Sequence, residues 1–380
     1  MSEWVPDILG EGFERSDLDL GSDPGSGGGP LVATLVRALP RPRGIWSRIL
    51  GRGRLLEEVD VLYVHGWSDY FFQRGMARFF TERGARFFAL DLRRYGRSLR
   101  DGQAPGYIER LDDYDAEIGA ALAAMGHGVA GSWPGAGTGA DAGEDPAPAP
   151  APSGGRGPSR RLVLFGHSTG GLILSLWADR HPGVAAALLL NSPWLELQLS
   201  GAGRRAIAPV VNLRARLAPQ EPALPQLDLG FYHRAQSLVS DPEEQALVES
   251  AWRPAQTQTV RAGWLSAILA GQARVSTGLE VGAPSCVLLS ARSQFGLTWR
   301  DEMTRADTVL DVDSIAAAAL RLGRTVTIER IDGALHDVFL SAEEVRAEAY
   351  ARLERWLTGW AATTGRPGRP PAAFAPPSAG

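Results

Sequence analysis

Apolar and polar positions alternate along this chain in blocks whose period changes. Residues 59–66, VDVLYVHG, form an apolar run closed by turn chemistry, which predicts a buried strand. Residues 70–84, YFFQRGMARFFTERG, place apolar side chains at helical spacing and stop at Gly84, a C-cap. ARFFALD (85–91) predicts a second buried strand, and LDDYDAEIGAALAAM (111–125) a helix whose first turn is acidic, where the helix dipole favours negative charge. RRLVLFGHS then reads as a strand, GGLILSLWADRHPG as a helix ended by Pro-Gly, and VAAALLLNSP as a strand. PSCVLLSA (284–291) and TVTIERI (325–331) predict two more strands. VDSIAAAALRLG (312–323) and SAEEVRAEAYARLERWLTGW (341–360) predict helices, the second opened by a capping box of Ser341 and Glu344.

Strands alternating with helices imply an α/β fold, a mostly parallel central sheet with helices on both faces. Ligands of such sheets bind at the C-terminal ends of the strands. Residues 10–39 read as an antiparallel strand pair at the sheet edge. The stretch between two core strands shows amphipathic segments and prolines without strand alternation, which predicts an inserted helical cap. The expected organisation is a first part of the core over 1–193, the cap over 194–278, a second part of the core over 279–362 and a disordered tail over 363–380. Residues 126–159, almost entirely Gly, Ala, Pro and Ser, read as a disordered insert, because they cannot bury enough apolar surface to offset their ordering entropy.

Composition narrows the function classes. A net charge of −4 over 380 residues, with no basic cluster, argues against a nucleic-acid partner. All 39 basic residues are arginine, a bias expected of a GC-rich genome in a chain also rich in Ala, Gly and Pro. The single cysteine, Cys286, excludes an internal disulfide, and its apolar surroundings make it a small buried hydrophobe. The acidic N-terminus lacks the features of a signal peptide, and no apolar run is long enough to span a membrane, so a cytoplasmic location is expected. Transient lipid contact and the oligomeric state stay open.

The chemistry centres on GHSTG, Gly166 to Gly170, on a turn between a predicted strand and helix. This is the G-x-S-x-G pattern, in which small residues permit a tight, strained turn that raises the serine hydroxyl above the sheet at a helix N-terminus. Ser168 is therefore the candidate nucleophile. A serine hydroxyl needs a neighbouring base. Of six histidines, His336 alone follows the last predicted strand at the C-terminal end of the sheet. The acid that orients it is expected after strand CVLLS, where Asp307 leaves room for one helix and one strand before His336; Asp301 and Asp311 are the alternatives. Two backbone amides are needed for the oxyanion, and Thr169 and Trp67 are placed to supply them. His65 and Gly66 in the same loop, together with Trp194 and Leu195 at the start of the cap, are the candidate substrate-binding residues. Leu197, Phe231, Tyr232, Trp252, Trp264 and Leu265 extend an apolar wall suited to an acyl chain or to the cap's own core. No metal or organic cofactor is implied.

Taken together, VLYVHGWSDYFFQ, FFALDLRRYGRS, LVLFGHSTGGL, LLLNSPWLEL and GALHDVFLS resemble the lysophospholipase and monoacylglycerol lipase branch of the α/β-hydrolases, the serine aminopeptidase S33-like hydrolases. The resemblance covers most of 58–197 and 284–360. It implies an α/β-hydrolase fold and a small-molecule acyl ester substrate. The family's HG oxyanion loop falls on His65, Gly66 and Trp67, its D-x-R-G-x-G-x-S turn on Asp91 to Ser98 with Arg94 where glycine is usual, and its acid segment on Asp307 to Leu310. The departures are a long loop before Asp307 and the 126–159 insert. A peptidase or thioesterase of the same fold, or a ligand-binding member without catalysis, are the other readings.

Overall fold

A computed structural model describes residues 3–23, 28–42, 53–128, 160–197, 201–223 and 228–364. Apart from residues 126–128 and 363–364, the insert expected over 126–159 and the tail expected from 363 lie outside that set.

The strands are β1 (Val5–Pro6), β2 (Phe13–Ser22), β3 (Pro30–Ala38), β4 (Val59–Val64), β5 (Arg86–Asp91), β6 (Arg161–His167), β7 (Ala187–Asn191), β8 (Ser285–Ser290) and β9 (Val326–Ile331). They form one sheet in the order β1-β2-β3-β5-β4-β6-β7-β8-β9. The pairs from β5 through β9 are parallel, and β1, β2 and β3 add an antiparallel edge. The helices are α1 (Arg74–Glu82), α2 (Asp115–Met125), α3 (Thr169–Arg180), α4 (Gly201–Leu217), α5 (Phe231–Val239), α6 (Pro242–Gln245), α7 (Ala262–Ser276), α8 (Val312–Ala319) and α9 (Glu343–Thr363).

The central strands are continuous apolar runs because both faces of the sheet are covered. Leu62, Val64, Leu164, Leu188, Val287 and Leu289 point to one core, while Val61, Tyr63, Val163, Phe165, Cys286 and Leu288 point to the other. Cys286 is fully buried, and burial pushes its thiol well above the ordinary range, which keeps it unreactive. Helix α3 passes behind the sheet centre with every residue from Thr169 to Ala178 buried, so it is apolar all round rather than amphipathic. Between β7 and β8 the chain forms α4, α5, α6 and α7, and α7 adds Trp264, Ile268 and Val275 to the first core.

Some boundaries differ from expectation. The helix expected from residue 70 starts at Arg74, because Tyr70, Phe71 and Phe72 run into the second core before the first turn forms. The helix expected to reach Gly323 ends at Ala319. The capping box at Ser341 is absent. A 3₁₀ turn over Val338–Leu340 delays α9, Ala342 takes the N-cap position without a side-chain bond, and the Ser341 hydroxyl accepts from the Leu335 amide at 2.9 Å. Ser341 thus braces the loop that carries His336. The edge strand β1 had no signal in the sequence, since two residues are too short to show a period.

Candidate active site

Ser168 sits between β6 and α3 with φ 52° and ψ −117°, outside the comfortable regions for an L-residue. The neighbouring glycines make the turn possible. A Cβ on Gly166 meets the Gly170 carbonyl and Gly171 Cα at 2.6 Å, one on Gly171 meets Pro193 Cβ at 2.7 Å, and one on Gly170 collides with the Val64 and His65 carbonyls. The elbow is held from beside by β7: the Ser168 amide donates to the Asn191 carbonyl at 3.0 Å. Thr169 is the first residue of α3, so its amide has no acceptor within the helix.

His336 follows β9, and its Nδ1 lies 2.9 Å from Asp307 Oδ2, both side chains being buried. Asp307 is positioned by backbone: its Oδ1 accepts from the amides of Val309 at 2.7 Å and Leu310 at 2.8 Å. The competing carboxylates are occupied elsewhere. Asp301 accepts from the Trp299 indole, and Asp311 caps α8 by accepting from Asp313. With Nδ1 turned to Asp307, the other ring nitrogen, Nε2, is the one available to a substrate proton. Ser168 and His336 line the same cavity, and among the described residues no hydrogen bond joins the two side chains directly.

That cavity holds about 400 Å³, within the usual range for small-molecule sites. Gly66, Trp67, His167, Ser168 and His336 form its reactive end. A Cβ on Gly66 sits 3.0 Å from Ser168 Cβ, so the loop after β4 approaches the serine as closely as glycine permits. Trp67, Trp194 and Trp264 stack into an aromatic wall, with ring centroids 3.9 Å apart for Trp67 and Trp264 and 6.0 Å for Trp194 and Trp264. Phe231 and Tyr232 also face the cavity.

Two expected substrate contacts lie elsewhere. His65 is fully buried; its Nδ1 lies 2.7 Å from the Gly66 carbonyl and its Nε2 accepts from the Leu92 amide at 3.1 Å. Both nitrogens are used to shape the loop, and the ring lies outside the cavity lining. Leu195 is 1% exposed and packs in the core, because the chain turns inward after Trp194. Leu265 and Trp252 also pack internally, Trp252 edge-on to Tyr70 at 5.2 Å.

Several residues at the site carried no motif. Asn191 ends β7. Besides accepting from Ser168, its carbonyl lies 3.1 Å from His167 Nδ1; its side-chain amide donates to Asp337 Oδ1 at 2.7 Å, and its Oδ1 accepts from the Val338 amide at 3.2 Å. Asp337 also accepts from Gln73 Nε2 at 3.0 Å, and its amide donates to the Tyr232 hydroxyl at 3.1 Å. The serine turn and the histidine loop are therefore tied through one asparagine. The Tyr232 ring packs edge-on against His336 at 5.4 Å. His167, 5.0 Å from the His336 ring, is pushed by burial below the ordinary histidine range and stays neutral. A polar asparagine closing an apolar strand at its C-terminal end is the one signal that points to Asn191 from sequence.

A cluster from the loop after β4 and the chain between β7 and β8 completes the lining: Arg253 Nε donates to Asp69 Oδ1 at 2.7 Å, and its Nη2 donates to Gln236 Oε1 at 2.7 Å. Among the described residues no group of three or more His, Cys, Asp or Glu side chains is arranged to hold a metal ion, and no helix is long and apolar enough to cross a membrane.

The family model described as serine aminopeptidase, S33 matches residues 151–343, just over half of the chain. Solved structures share the fold at low identity. A monoacylglycerol lipase of Paleococcus ferrophilus is 16% identical with a TM-score of 0.55, the alignment covering 86% of this chain and 99% of that one. A soluble variant of the Saccharomyces cerevisiae monoglyceride lipase, solved with a substrate analogue, is 14% identical with a TM-score of 0.56, covering 91% and 96%. A thermostable carboxyl esterase of Bacillus coagulans, solved with glycerol, is 13% identical with a TM-score of 0.52, covering 91% and 99%. These likenesses establish an α/β-hydrolase fold. No curated protein matches the chain.

Proposed function

The chain belongs to the serine aminopeptidase S33 family of hydrolases, and from that premise we propose that it hydrolyses carboxylic esters, monoacylglycerols, lysophospholipids or related acyl esters, through Ser168, His336 and Asp307. The observation that carries this reading is the buried His336–Asp307 pair opening onto the cavity that also receives the strained Ser168.

The geometry supports an acyl-enzyme route. Ser168 Oγ attacks the ester carbonyl carbon while His336 Nε2 takes its proton, forming a tetrahedral oxyanion. Asp307 holds Nδ1–H and stabilises the imidazolium that results. The amides of Thr169 and Trp67 receive the oxyanion; losing one such donor typically costs about 2.7–4 kcal/mol of barrier. The imidazolium then protonates the departing alkoxide, and the C–O bond breaks. Water, deprotonated by His336, attacks the acyl-enzyme, releasing the acid and restoring Ser168. The aromatic wall of Trp67, Trp194 and Trp264 suits the acyl chain.

An aminopeptidase needs a free carboxylate to receive the substrate's α-ammonium. The two carboxylates of the cavity lining besides the triad region are engaged, Asp69 by Arg253 and Asp228 by the amides of Gly230 and Thr257, which favours the ester. The test is labelling with a fluorophosphonate probe, followed by hydrolysis rates on p-nitrophenyl esters of increasing chain length and on an aminoacyl arylamide. Wild type is expected to label and to cleave the esters. Equal labelling of wild type and Ser168→Ala ends the catalytic reading, and faster cleavage of the arylamide ends the ester reading.

A further inference from the structure

We propose that Tyr232 is a positioning residue for His336: brought in by helix α5, it holds the imidazole in the orientation that serves both Asp307 and Ser168. The proposal rests on the reading of His336 as the base given above, and it makes the rate depend on a residue from outside the sheet.

The His336 ring needs more than its acid to stay in place. Among the described residues it makes one hydrogen bond, between Nδ1 and Asp307 Oδ2 at 2.9 Å. A single bond at one end lets a ring swing about it, whereas proton transfer needs the other nitrogen within about 3.2 Å of the serine oxygen. Two neighbouring rings restrict that swing: His167 at 5.0 Å, and Tyr232 edge-on at 5.4 Å. The adjoining backbone is gripped as well. Gln73 and Asn191 hold the Asp337 side chain, and the Asp337 amide donates to the Tyr232 hydroxyl at 3.1 Å. Tyr232 thus restrains both the imidazole and the backbone next to it.

Helix α5 reaches His336 in a fixed register. Gln236 lies one turn beyond Tyr232 on the same face. Its Oε1 accepts from Arg253 Nη2 at 2.7 Å, and Arg253 Nε donates to Asp69 Oδ1, also at 2.7 Å, in the loop after β4. A buried ion pair adds little net stability; here it fastens α5 to the core. Just past the end of α5 the Ser240 hydroxyl donates to the Leu340 carbonyl, in the turn that follows His336. At its start Phe231 packs on Trp299 with ring centroids 5.9 Å apart, and the Arg234 guanidinium lies 4.2 Å over the same indole. Trp299 belongs to the long loop that leads to Asp307. One helix therefore touches the loop of the base, the loop of the acid and the loop after β4.

The tyrosine acts through position and not through charge. Burial, with Asp337 and Asp69 nearby, holds its phenol well above the ordinary range, so it stays protonated and neutral. His167, the other ring against His336, is pushed down by burial and is neutral too. Neither ring supplies a proton or a counter-charge, and what remains to them is the restraint of the imidazole.

The experiment measures kcat and KM of the full chain on p-nitrophenyl acetate, whose acyl group is too short to use the aromatic wall. Fluorophosphonate titration counts the active sites, so that misfolded protein does not enter kcat. Tyr232→Leu removes both restraints and is expected to lower kcat about 10²-fold with KM little changed. Tyr232→Phe keeps the packed ring and loses only the bond to the Asp337 amide, so it is expected to recover most of that loss and to stay about three- to tenfold below wild type. A loss confined to KM overturns the proposal, because it makes Tyr232 a substrate contact. A lowered melting temperature with kcat per site unchanged overturns it too. If the leucine variant does not fold, the phenylalanine variant decides: kcat equal to wild type there overturns the proposal. A wild type that neither labels nor cleaves the ester overturns the reading of Ser168 and His336, and this proposal with it.

Discussion

Two regions at the same end of the sheet bury charge and hold a non-glycine residue at positive φ, yet they differ in kind. The turn after β5, Asp91 to Ser98, carries Arg94 at φ 64°, and the elbow after β6 carries Ser168 at φ 52°. In the first, Arg97 is 1% exposed in its side chain and each of its three nitrogens donates: Nε and Nη2 go to Asp7 at 2.7 and 2.9 Å, and Nη1 goes to Asp91 at 2.8 Å and the Phe71 carbonyl at 2.9 Å. Asp91 in turn accepts from the amides of Phe71 and Arg97. Arg94 is locked by Asp23 and the Tyr107 carbonyl. This turn is a saturated clamp that ties β1 and its neighbours to the sheet. Around the elbow, by contrast, two groups with hydrogen-bonding capacity to spare belong to residues that line a cavity: the Ser168 hydroxyl and the second nitrogen of His336. Buried charge and backbone strain therefore do not by themselves mark a site; unspent hydrogen-bonding capacity facing a cavity does.

The contrast can be broken in order of effect. Ser168→Ala is expected to abolish fluorophosphonate labelling and to lower ester kcat/KM by about 10³-fold or more, with a melting temperature close to wild type; retained activity places the chemistry elsewhere. Arg97→Met is expected to do the opposite. It leaves two buried carboxylates uncompensated and costs about 3–5 kcal/mol in denaturant unfolding, while kcat per folded molecule stays near wild type. A large loss of kcat in the folded fraction would move this clamp into the catalytic region.

Asn191→Ala tests the bridge between the two halves of the site. A displacement near 1 Å between nucleophile and base can cost up to about 10²-fold, so kcat is expected to fall about 10- to 100-fold with KM changing little. Steady-state kinetics at a temperature where both proteins are folded distinguish this from a purely structural role, which lowers the melting temperature and leaves kcat alone.

Glu244 gives the smallest and most graded test. Its half-buried carboxyl accepts from the Gly75 amide near the start of α1, and burial pushes its pKa up to about 7. A raised carboxyl pKa favours the folded state while the group is protonated, so that contribution is present below the unfolded value and is lost as pH rises through about 7. Melting temperatures taken across this range are expected to show a decline that Glu244→Gln removes. A flat wild-type profile would mean that one donor suffices to hold the charge, and that saturation is not what separates the two regions.

The central strands, α3 and the elbow were legible in the sequence because their constraints are local. A continuous apolar run, a following helix and glycines at 166, 170 and 171 describe a strand–turn–helix with no room for side chains. Asp307 was legible only as one of three acids, since spacing to His336 bounds the position without selecting it. The Val309 and Leu310 amides make the selection by fixing one carboxylate beside the ring. His65 and Leu195 were misplaced for a related reason: neighbouring a motif in sequence does not say which way a side chain turns, and here one turns into the loop and the other into the core.

What the sequence determined alone was the periodicity of burial, and with it the layered α/β architecture and the strand ends where chemistry could sit, because apolar spacing and turn residues act over a few positions. What only the tertiary structure decided was the company each polar group keeps. Asn191 meets Asp337, and Asp69 meets Arg253, across separations of 146 and 184 residues. Hydrogen bonds over such distances in the chain leave no period behind; they exist because the sheet brings remote strand ends to one edge and the chain between β7 and β8 folds back over them.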